Sequence, residues 1–171
     1  MCEMVNATGH SQSSFGADCW NRVIAIGGKK EFDAHNCTMK GHGYGVLVVQ
    51  WSPDNKQFAS GSSDKTILTW DAITMNVIAI MVGHEGAVSG LAWSPDGGLI
   101  CSCSHDKSVR IWNAFTGLCL HNIEEHSWEV GCIDWSKDGL KLASGSWDRK
   151  IIIWNARTAR KWNDTVLRGH L

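Results

Sequence analysis

The sequence has neither an excess of one charge nor a long hydrophobic run, and each of these absences excludes a class of protein. Lysine and arginine number 16 against 17 aspartates and glutamates, and the net charge of −1 creates no overall field that attracts nucleic acid or an anionic membrane. No stretch approaches the roughly 20 apolar residues that a membrane-spanning helix needs. Near the N-terminus the longest apolar run, Val23 to Ile26, is too short for the core of a secretory signal.

The seven cysteines include no C-x-x-C pair. An odd number without a secretory signal favours reduced thiols in the cytosol or nucleus, so we expect a cytoplasmic protein, with the nucleus as the alternative. Cys103 and His105 share one face of a predicted strand, but a zinc site would need two more ligands at suitable spacing. We therefore expect no metal and no cofactor. We expect small buried apolar side chains at Cys101, Cys103, Cys119 and Cys132.

Ten tryptophans are many for 171 residues, and an internal repeat accounts for six of them. Three segments, beginning at Gly41, Gly83 and Glu125, align without gaps. An interval of 42 residues separates the members of each of three sets, which are Trp51, Trp93 and Trp135; Asp64, Asp106 and Asp148; and Trp70, Trp112 and Trp154. A period of this length is typical of a four-stranded propeller blade.

Each unit contains four short apolar stretches separated by turn residues, as the second unit shows. Strands are predicted there over about Ala87 to Trp93, Leu99 to Ser104, Ser108 to Trp112 and Leu118 to Ile123. The first turn, from Ser94 to Gly97, contains proline and Asp-Gly, which preset φ or tolerate a positive φ. The pattern predicts an all-β fold in which each blade has four antiparallel strands.

The repeated ends of these units resemble those of the WD-repeat family. Gly41-His42, Gly83-His84 and Gly169-His170 look like the family's Gly-His opening, and Trp70-Asp71 looks like its Trp-Asp closing. The resemblance covers residues 41–171 and is specific because it recurs three times in register. The departures are a closing Trp-Asn at Trp112-Asn113 and Trp154-Asn155, an opening Glu125 in place of glycine, and two extra residues before Gly169. The extra residues predict a longer loop near Thr158 to Asn163.

The resemblance implies three complete blades, at residues 41–82, 83–124 and 125–168, and the start of another at 169–171. Residues 1–40 are an atypical segment, either a degenerate partial blade containing Val23 to Ile26 or a leader. Because a propeller closes only with about 4–8 blades, we expect an incomplete, open propeller. The chain is then a piece of a longer protein or an incomplete gene model, or it completes its ring by self-association through uncovered blade faces. We expect that the isolated chain is not a compact monomer.

One histidine, serine, aspartate and tryptophan recur in every unit, and a catalytic interpretation of the first three residue types is available. Repetition argues against it, because a chain needs one active site and not three identical sets. The resemblance implies instead a structural hydrogen-bonded tetrad in each blade. These tetrads are His42, Ser60, Asp64, Trp70; His84, Ser102, Asp106, Trp112; and His126, Ser144, Asp148, Trp154. Strand alternation alone allows Ser62, Ser104 and Ser146 as well, and the family register favours the first set.

The resemblance also implies a partner-binding face formed by the loops before the first strands and by the tight turns. Three positions in each blade map there, namely Gly45, Leu47, Ser63, Ala87, Ser89, His105, Glu129, Gly131 and Trp147. Trp147 is the best anchor candidate, since tryptophan is enriched among residues that dominate binding energy. The alternative is that Trp147 or Trp128 packs against a neighbouring loop.

The sequence therefore favours a non-catalytic protein-interaction scaffold that binds other proteins or peptides. An RNA- or ribonucleoprotein-associated WD-repeat subunit is the alternative, although the near-neutral charge speaks against direct nucleic-acid binding. A third interpretation is the WD-repeat fragment of a larger regulatory protein. We expect no enzyme activity, because no unrepeated catalytic set is present.

Overall fold

The computed structural model describes residues 38–168, and within that range it contains twelve β-strands and no helix. The expectations for residues 1–37 and for the blade start at 169–171 lie outside the described residues. The strands are β1 Val46–Trp51, β2 Gln57–Ser62, β3 Ile67–Asp71, β4 Val77–Met81, β5 Val88–Trp93, β6 Leu99–Ser104, β7 Val109–Asn113, β8 Cys119–Ile123, β9 Val130–Trp135, β10 Lys141–Ser146, β11 Lys150–Asn155 and β12 Lys161–Arg168.

The strands form three separate four-stranded sheets, each built from consecutive antiparallel hairpins. We call them blade 1 (β1–β4), blade 2 (β5–β8) and blade 3 (β9–β12). The predicted all-β fold with four-stranded antiparallel blades is confirmed. In blade 2 the predicted strand ends differ from the observed ends by no more than one residue, because the turns between them carry strong local signals.

The first hairpin turn of blade 2 shows how the sequence builds these corners. The Ser94 hydroxyl donates to Asp96 Oδ1 at 2.5 Å, and the Gly98 amide donates to the same oxygen at 3.0 Å. Gly97 adopts φ = 73°, which costs a residue without a Cβ little. The same Ser-x-Asp arrangement recurs in blades 1 and 3. Side-chain acceptors thus satisfy the turn amides and return each chain in register.

Most buried hydrophobic residues lie between neighbouring blades, and a smaller cluster of Phe58, Leu68 and Trp70 lies within blade 1 alone. One cluster joins Ile67 and Met81 of blade 1 to Leu91 and Trp112 of blade 2. A second cluster fills the space between blades 2 and 3. The first strands lie side by side, with β5 in contact with both β1 and β9. Across the described blades the sheets do not close into a ring, as expected for an open propeller fragment.

The prediction of a longer loop near Thr158 to Asn163 was wrong. The Asn155 amide donates to the Arg160 carbonyl at 2.7 Å, so this turn has the same length as its counterpart from Asn113 to Leu118. β12 begins directly after it at Lys161. The extra residues lie in the strand itself, where the pairing with β11 shifts register between Ile152 and Trp154. A β-bulge absorbs an insertion that sequence alignment alone assigns to a loop.

The expectation for the cysteines holds for two of the four. Cys101 and Cys103 are fully buried between blades 2 and 3, and burial raises the pKa of the Cys103 thiol to about 12. Cys119 and Cys132 are exposed, contrary to the expectation. Cys119 begins the outer strand β8, and Cys132 lies on the side of blade 3 that faces away from blade 2. Among the described residues no helix is long and apolar enough to cross a membrane.

Candidate functional site: the loop end of the blade stack

A hydrogen-bonded chain of four side chains runs through blade 2. The indole Nε1 of Trp112 donates to Ser102 Oγ at 2.8 Å, and Ser102 Oγ lies 2.7 Å from His84 Nε2. His84 Nδ1 is 2.8 Å from Asp106 Oδ2. A carboxylate only accepts, so Nδ1 carries the proton donated to Asp106, and the serine hydroxyl is free to donate to Nε2. The network links β7, β6, the loop before β5 and the tight turn between β6 and β7.

Blades 1 and 3 contain the same arrangement. In blade 1 the contacts from tryptophan to serine, serine to histidine and histidine to aspartate are 2.8, 2.7 and 3.0 Å. In blade 3 they are 2.8, 2.8 and 2.9 Å. The structure thus brings together all twelve tetrad residues, four per blade. Each blade therefore contains one equivalent hydrogen-bond network that links its strands and loops.

Each aspartate of the network also holds the loops around it. Asp106 accepts the backbone amides of Glu85 and Ser108 at 2.9 Å each and the Ser108 hydroxyl at 2.6 Å. In blade 1 Thr66 takes the role of Ser108, with its hydroxyl 2.6 Å from Asp64. Blade 3 has Lys150 at this position, where only the backbone amide donates a hydrogen bond to Asp148. These hydroxyls were not predicted, although one stands two residues after the aspartate in two of the three units.

The second serine of each pair has a different role. The Ser62 hydroxyl donates to the Gly45 carbonyl at 2.9 Å, and that of Ser146 donates to the Glu129 carbonyl at 2.8 Å. Each of these oxygens also accepts the amide of the following network aspartate, at 3.1 Å in both blades. These serines tie the loop before the first strand to the tight turn. The serine that bonds to histidine and tryptophan is the one favoured by the family register.

Hydrogen bonds hold the network carboxyls in their charged form. Burial alone would raise the pKa of Asp106, but the bonds from His84 and from the Ser108 hydroxyl and amide outweigh it and hold the pKa well below its usual range. The same two effects oppose each other at Asp64 and Asp148. Burial raises the pKa of each carboxyl, but the hydrogen bonds lower it by more, so both pKa values are lowered. The native structure therefore favours ionised aspartates at these three positions.

The loops before the first strands and the tight turns lie together at one end of the stack, which we call the loop face. Six of its nine expected residues are exposed: Gly45, Leu47, Ser63, His105, Gly131 and Trp147. Ala87, Ser89 and Glu129 are partly buried. The Ser89 hydroxyl bonds to the Val130 carbonyl at 2.5 Å and so connects blade 2 to blade 3.

Trp147 stands out on the loop face because its side chain is exposed while its backbone is fixed. The residue is 73% exposed. Its amide donates to the Glu129 carbonyl at 2.9 Å, and the next amide, of Asp148, is held by Ser146. A Cβ added to Gly131 would lie 3.6 Å from Trp147 Nε1, so the indole lies beside the start of β9. The ring is thus presented by a rigid turn over a residue without a side chain.

Two further aromatic residues of the loop face occupy one repeat position. Tyr44 is 74% exposed and Trp128 is 59% exposed, and both stand two residues after the network histidine. From the sequence, Trp128 was considered only as a residue that packs against a neighbouring loop, and Tyr44 was not predicted. The sequence contains a signal for both residues, because this repeat position varies: it is Tyr44 in blade 1, Gly86 in blade 2 and Trp128 in blade 3.

The family model for "WD domain, G-beta repeat" matches residues 34–71, 75–113 and 117–155, which is more than half of the chain. The chain belongs to the WD-repeat family. The second and third WD repeats begin just before β4 and β8 and end with β7 and β11. A WD repeat therefore contains the outer strand of one blade and the first three strands of the next, which joins successive blades covalently.

Curated relatives share short stretches with this WD-repeat chain. The vegetative incompatibility protein HET-E-1 of Podospora anserina is 44% identical over 52 residues, covering 30% of the chain and 4% of the relative. The Notchless protein homolog of Arabidopsis thaliana is 54% identical over 37 residues, covering 22% of the chain and 8% of the relative. The matched WD repeats thus span less than a tenth of either relative.

Solved structures show the same WD-repeat fold at low identity. The structures of U3-55K and of the RRP9 WD40 repeats each superpose with a TM-score of 0.73 at 24% sequence identity. In both cases the match covers 77% of this chain and 41% of the solved chain. The likeness concerns the fold alone.

The lowered aspartate pKa values predict acid sensitivity of the WD blades. A carboxyl whose folded pKa is depressed contributes stability above its unfolded pKa, near 3.8, and this contribution is lost as pH falls toward the folded value. Denaturant midpoints should therefore fall between about pH 5 and pH 2. Asp106→Asn should show a shallower fall, because one of the three network carboxyls no longer titrates. A variant as acid-sensitive as the wild type would contradict the assignment.

Proposed function

We propose that the chain is a non-catalytic protein-interaction scaffold, in the cytoplasm or the nucleus, whose loop face binds a protein or peptide. The observation that carries the proposal is Trp147, an indole 73% exposed on a turn fixed by backbone hydrogen bonds. A tryptophan held in one position loses little conformational freedom when a partner covers it, so more of the contact energy contributes to affinity.

The polar part of the Trp147 side chain also favours a partner. Its Nε1–H has no acceptor among the described residues, and it is available to a carbonyl oxygen of a bound chain. Tyr44 and Trp128 add two exposed rings to the same end of the stack. Aromatic side chains that combine apolar area with one polar atom are enriched at protein interfaces.

The state of the repeated histidines and serines supports a non-catalytic role. In blade 2 the Ser102 hydroxyl is fully buried and already accepts the Trp112 indole N–H, and His84 is 6% exposed. A nucleophile must reach a substrate, whereas this hydroxyl is enclosed by its own blade. The same bonds occur in all three blades, so the networks serve the fold and the function resides where the blades differ.

Quantitative affinity capture from an extract of the source organism tests the proposal with three forms of the chain: wild type, Trp147→Ala and Phe115→Ala. Phe115 is a matched control, because it is 59% exposed but lies in the turn between β7 and β8, at the opposite end of the stack. A direct partner should be retained by wild type and Phe115→Ala and lost from Trp147→Ala. With that partner purified, Trp147→Ala should weaken binding by at least about tenfold.

Two outcomes would contradict the proposal. Equal retention of every partner by Trp147→Ala and wild type would remove the loop face as the binding surface. Direct binding of purified chain to RNA at physiological salt, with no protein lost on Trp147→Ala, would favour the ribonucleoprotein alternative.

A further inference from the structure

A cavity of about 320 Å³ lies between blades 1 and 2, at the end of the stack opposite the loop face. The first hairpin turns of the two blades contribute Asp54 and Asp96 to it, and both residues are exposed. Gln57, which is partly buried, and Trp93, which is 8% exposed, line it as well. Ligand pockets span roughly 300–1,000 Å³, so the size of this cavity suits one side chain rather than a large cofactor.

The polar groups of this cavity lack donors. Hydrogen bonds from the Ser94 hydroxyl and the Gly98 amide to Oδ1 lower the pKa of Asp96 and keep it charged. Its other oxygen, Oδ2, has no hydrogen bond or ion pair within the described part of the chain. The Gln57 Oε1 atom is buried and accepts no hydrogen bond from the described residues. A buried acceptor without a donor is costly, and a donor on a ligand would offset that cost.

The space between blades 2 and 3 has the same backbone frame at this end of the stack. A Cβ added to Gly97 would lie 3.9 Å from Pro53 Cδ, which belongs to the first turn of blade 1. A Cβ added to Gly139 would lie 3.8 Å from Pro95 Cδ, which belongs to the first turn of blade 2. Successive turns therefore approach each other equally closely at both places, and any difference between the two spaces comes from the side chains.

Three side chains of the cavity are replaced at the corresponding positions between blades 2 and 3. Gln57, Pro95 and Phe115 give way to Leu99, Lys137 and Arg157. The second space therefore contains two cationic side chains of its own and an apolar residue in place of the amide. By contrast, no lysine or arginine lines the cavity between blades 1 and 2. Because the frame is shared, the combination of carboxylates and an unpaired amide oxygen is specific to the first space.

We propose that the cavity between blades 1 and 2 binds an arginine side chain of a partner protein. A guanidinium group carries several N–H donors in one plane, so it can donate to Gln57 Oε1 and to the Asp96 carboxylate together. It is also weakly hydrated and packs well against aromatic and apolar walls, which Trp93 and Pro53 provide. A lysine ammonium is a compact, strongly hydrated charge and fits such walls less well.

This site and the loop face lie at opposite ends of the stack, so the proposal is independent of the proposed function. Phe115 also lines the cavity. A loop-face partner depends on Trp147 and not on Phe115, whereas a partner that inserts an arginine here depends on Phe115 and not on Trp147. The affinity capture with Trp147→Ala and Phe115→Ala therefore distinguishes partners of the two sites.

NMR titration of the full chain with N-acetyl-arginine amide tests the proposal at the indole signal of Trp93, assigned with Trp93→Phe. Trp93 Nε1 donates to the Gln50 carbonyl at 3.1 Å, so its N–H lies in a fixed position beside the cavity. The signal should shift until it saturates. N-acetyl-citrulline amide has a similar shape without the charge and should bind at least about tenfold more weakly. N-acetyl-lysine amide should also bind more weakly, as should free arginine, whose carboxylate adds a negative charge near Asp54 and Asp96.

Three variants locate the binding within the cavity. Asp96→Asn removes the charge but keeps an oxygen for the turn, and should weaken binding of N-acetyl-arginine amide by about tenfold. Asp138→Asn makes the same change in the corresponding turn of blade 3, where the carboxylate accepts equivalent hydrogen bonds, and should leave the affinity unchanged. Gln57→Leu introduces the residue type that blade 2 has at Leu99 and should weaken binding by removing the unpaired oxygen.

Four results would overturn the proposal. The first is no saturable shift at Trp93, and the second is equal affinity for the arginine and citrulline amides. Equal weakening by Asp96→Asn and Asp138→Asn would show a general effect of charge and no site in the cavity. Binding of lysine amide as tight as that of arginine amide, or tighter binding of free arginine, would rule out an arginine side chain of a protein as the specific ligand.

Discussion

Replacing Trp154 with alanine is expected to lower the free energy of unfolding by about 3–5 kcal/mol. The side chain is 1% exposed and lies in the core between blades 2 and 3. Its removal leaves a cavity and deprives Ser144 of the indole donor that stands 2.8 Å away. Because domains of this size are stable by only about 5–15 kcal/mol, much of that margin would be lost. Chemical denaturation followed by far-ultraviolet circular dichroism measures the change.

The matched control is Trp147→Ala, which makes the same substitution in the same blade. Trp147 is 73% exposed, and its hydrogen bonds to the rest of the blade use backbone atoms that alanine retains. Its unfolding free energy should stay within about 0.5 kcal/mol of the wild type. Equal destabilisation by the two substitutions would mean that Trp147 is a core residue, and the loop face would lose its proposed anchor.

Removing the carboxylate of Asp106 is expected to have the second-largest effect. Asp106→Ala should cost about 1–3 kcal/mol, because His84 and the Glu85 and Ser108 amides lose the oxygens that accept from them. His84 and Ser108 are 6% and 3% exposed, so water replaces their lost acceptor poorly, whereas the Glu85 amide is open to solvent. Thermal and denaturant unfolding of the full chain measures the loss.

Asp96→Ala provides the comparison for Asp106→Ala. Asp96 also accepts hydrogen bonds in a turn of blade 2, from Ser94 and Gly98, but Asp96 is exposed. Water can replace it at the Gly98 amide, and the Ser94 hydroxyl can still donate to the Leu99 carbonyl. We expect a loss of about 0.5 kcal/mol. Melting shifts of equal size for the two variants would show that the network adds nothing beyond an ordinary turn.

The repeat predicted the fold because its signals are local and recur in register. Turn residues such as Pro95 and Gly97 delimit the strands. A histidine and an aspartate separated by 22 residues in every blade meet at 2.8–3.0 Å, since the loop before the first strand lies beside the tight turn. Three occurrences of one spacing carry information that a single His-Asp pair lacks.

Features that depend on which blade lies next to which could not be predicted from the repeat. Cys103 and Cys132 both lie in strands of the repeat, yet Cys103 is buried by blade 3, and Cys132 is exposed on the side of blade 3 that faces away from blade 2. The bond from Ser89 to the Val130 carbonyl crosses between blades and has no counterpart at Leu47 or Gly131, which lack a hydroxyl. Burial and pairing at these positions come from tertiary packing, which periodicity does not encode.

Hydrogen exchange of the tryptophan indole N–H groups tests the central claim most directly, namely that repeated internal networks build the blades and leave Trp147 free for a partner. Nitrogen-15 NMR, with signals assigned through single Trp→Phe variants, resolves each indole. The account predicts slow exchange at Trp70, Trp112 and Trp154, whose Nε1–H groups are buried and bonded to serine, and fast exchange at Trp128 and Trp147. Protection of Trp147 as strong as that of Trp154, or fast exchange at all three network tryptophans, would contradict it.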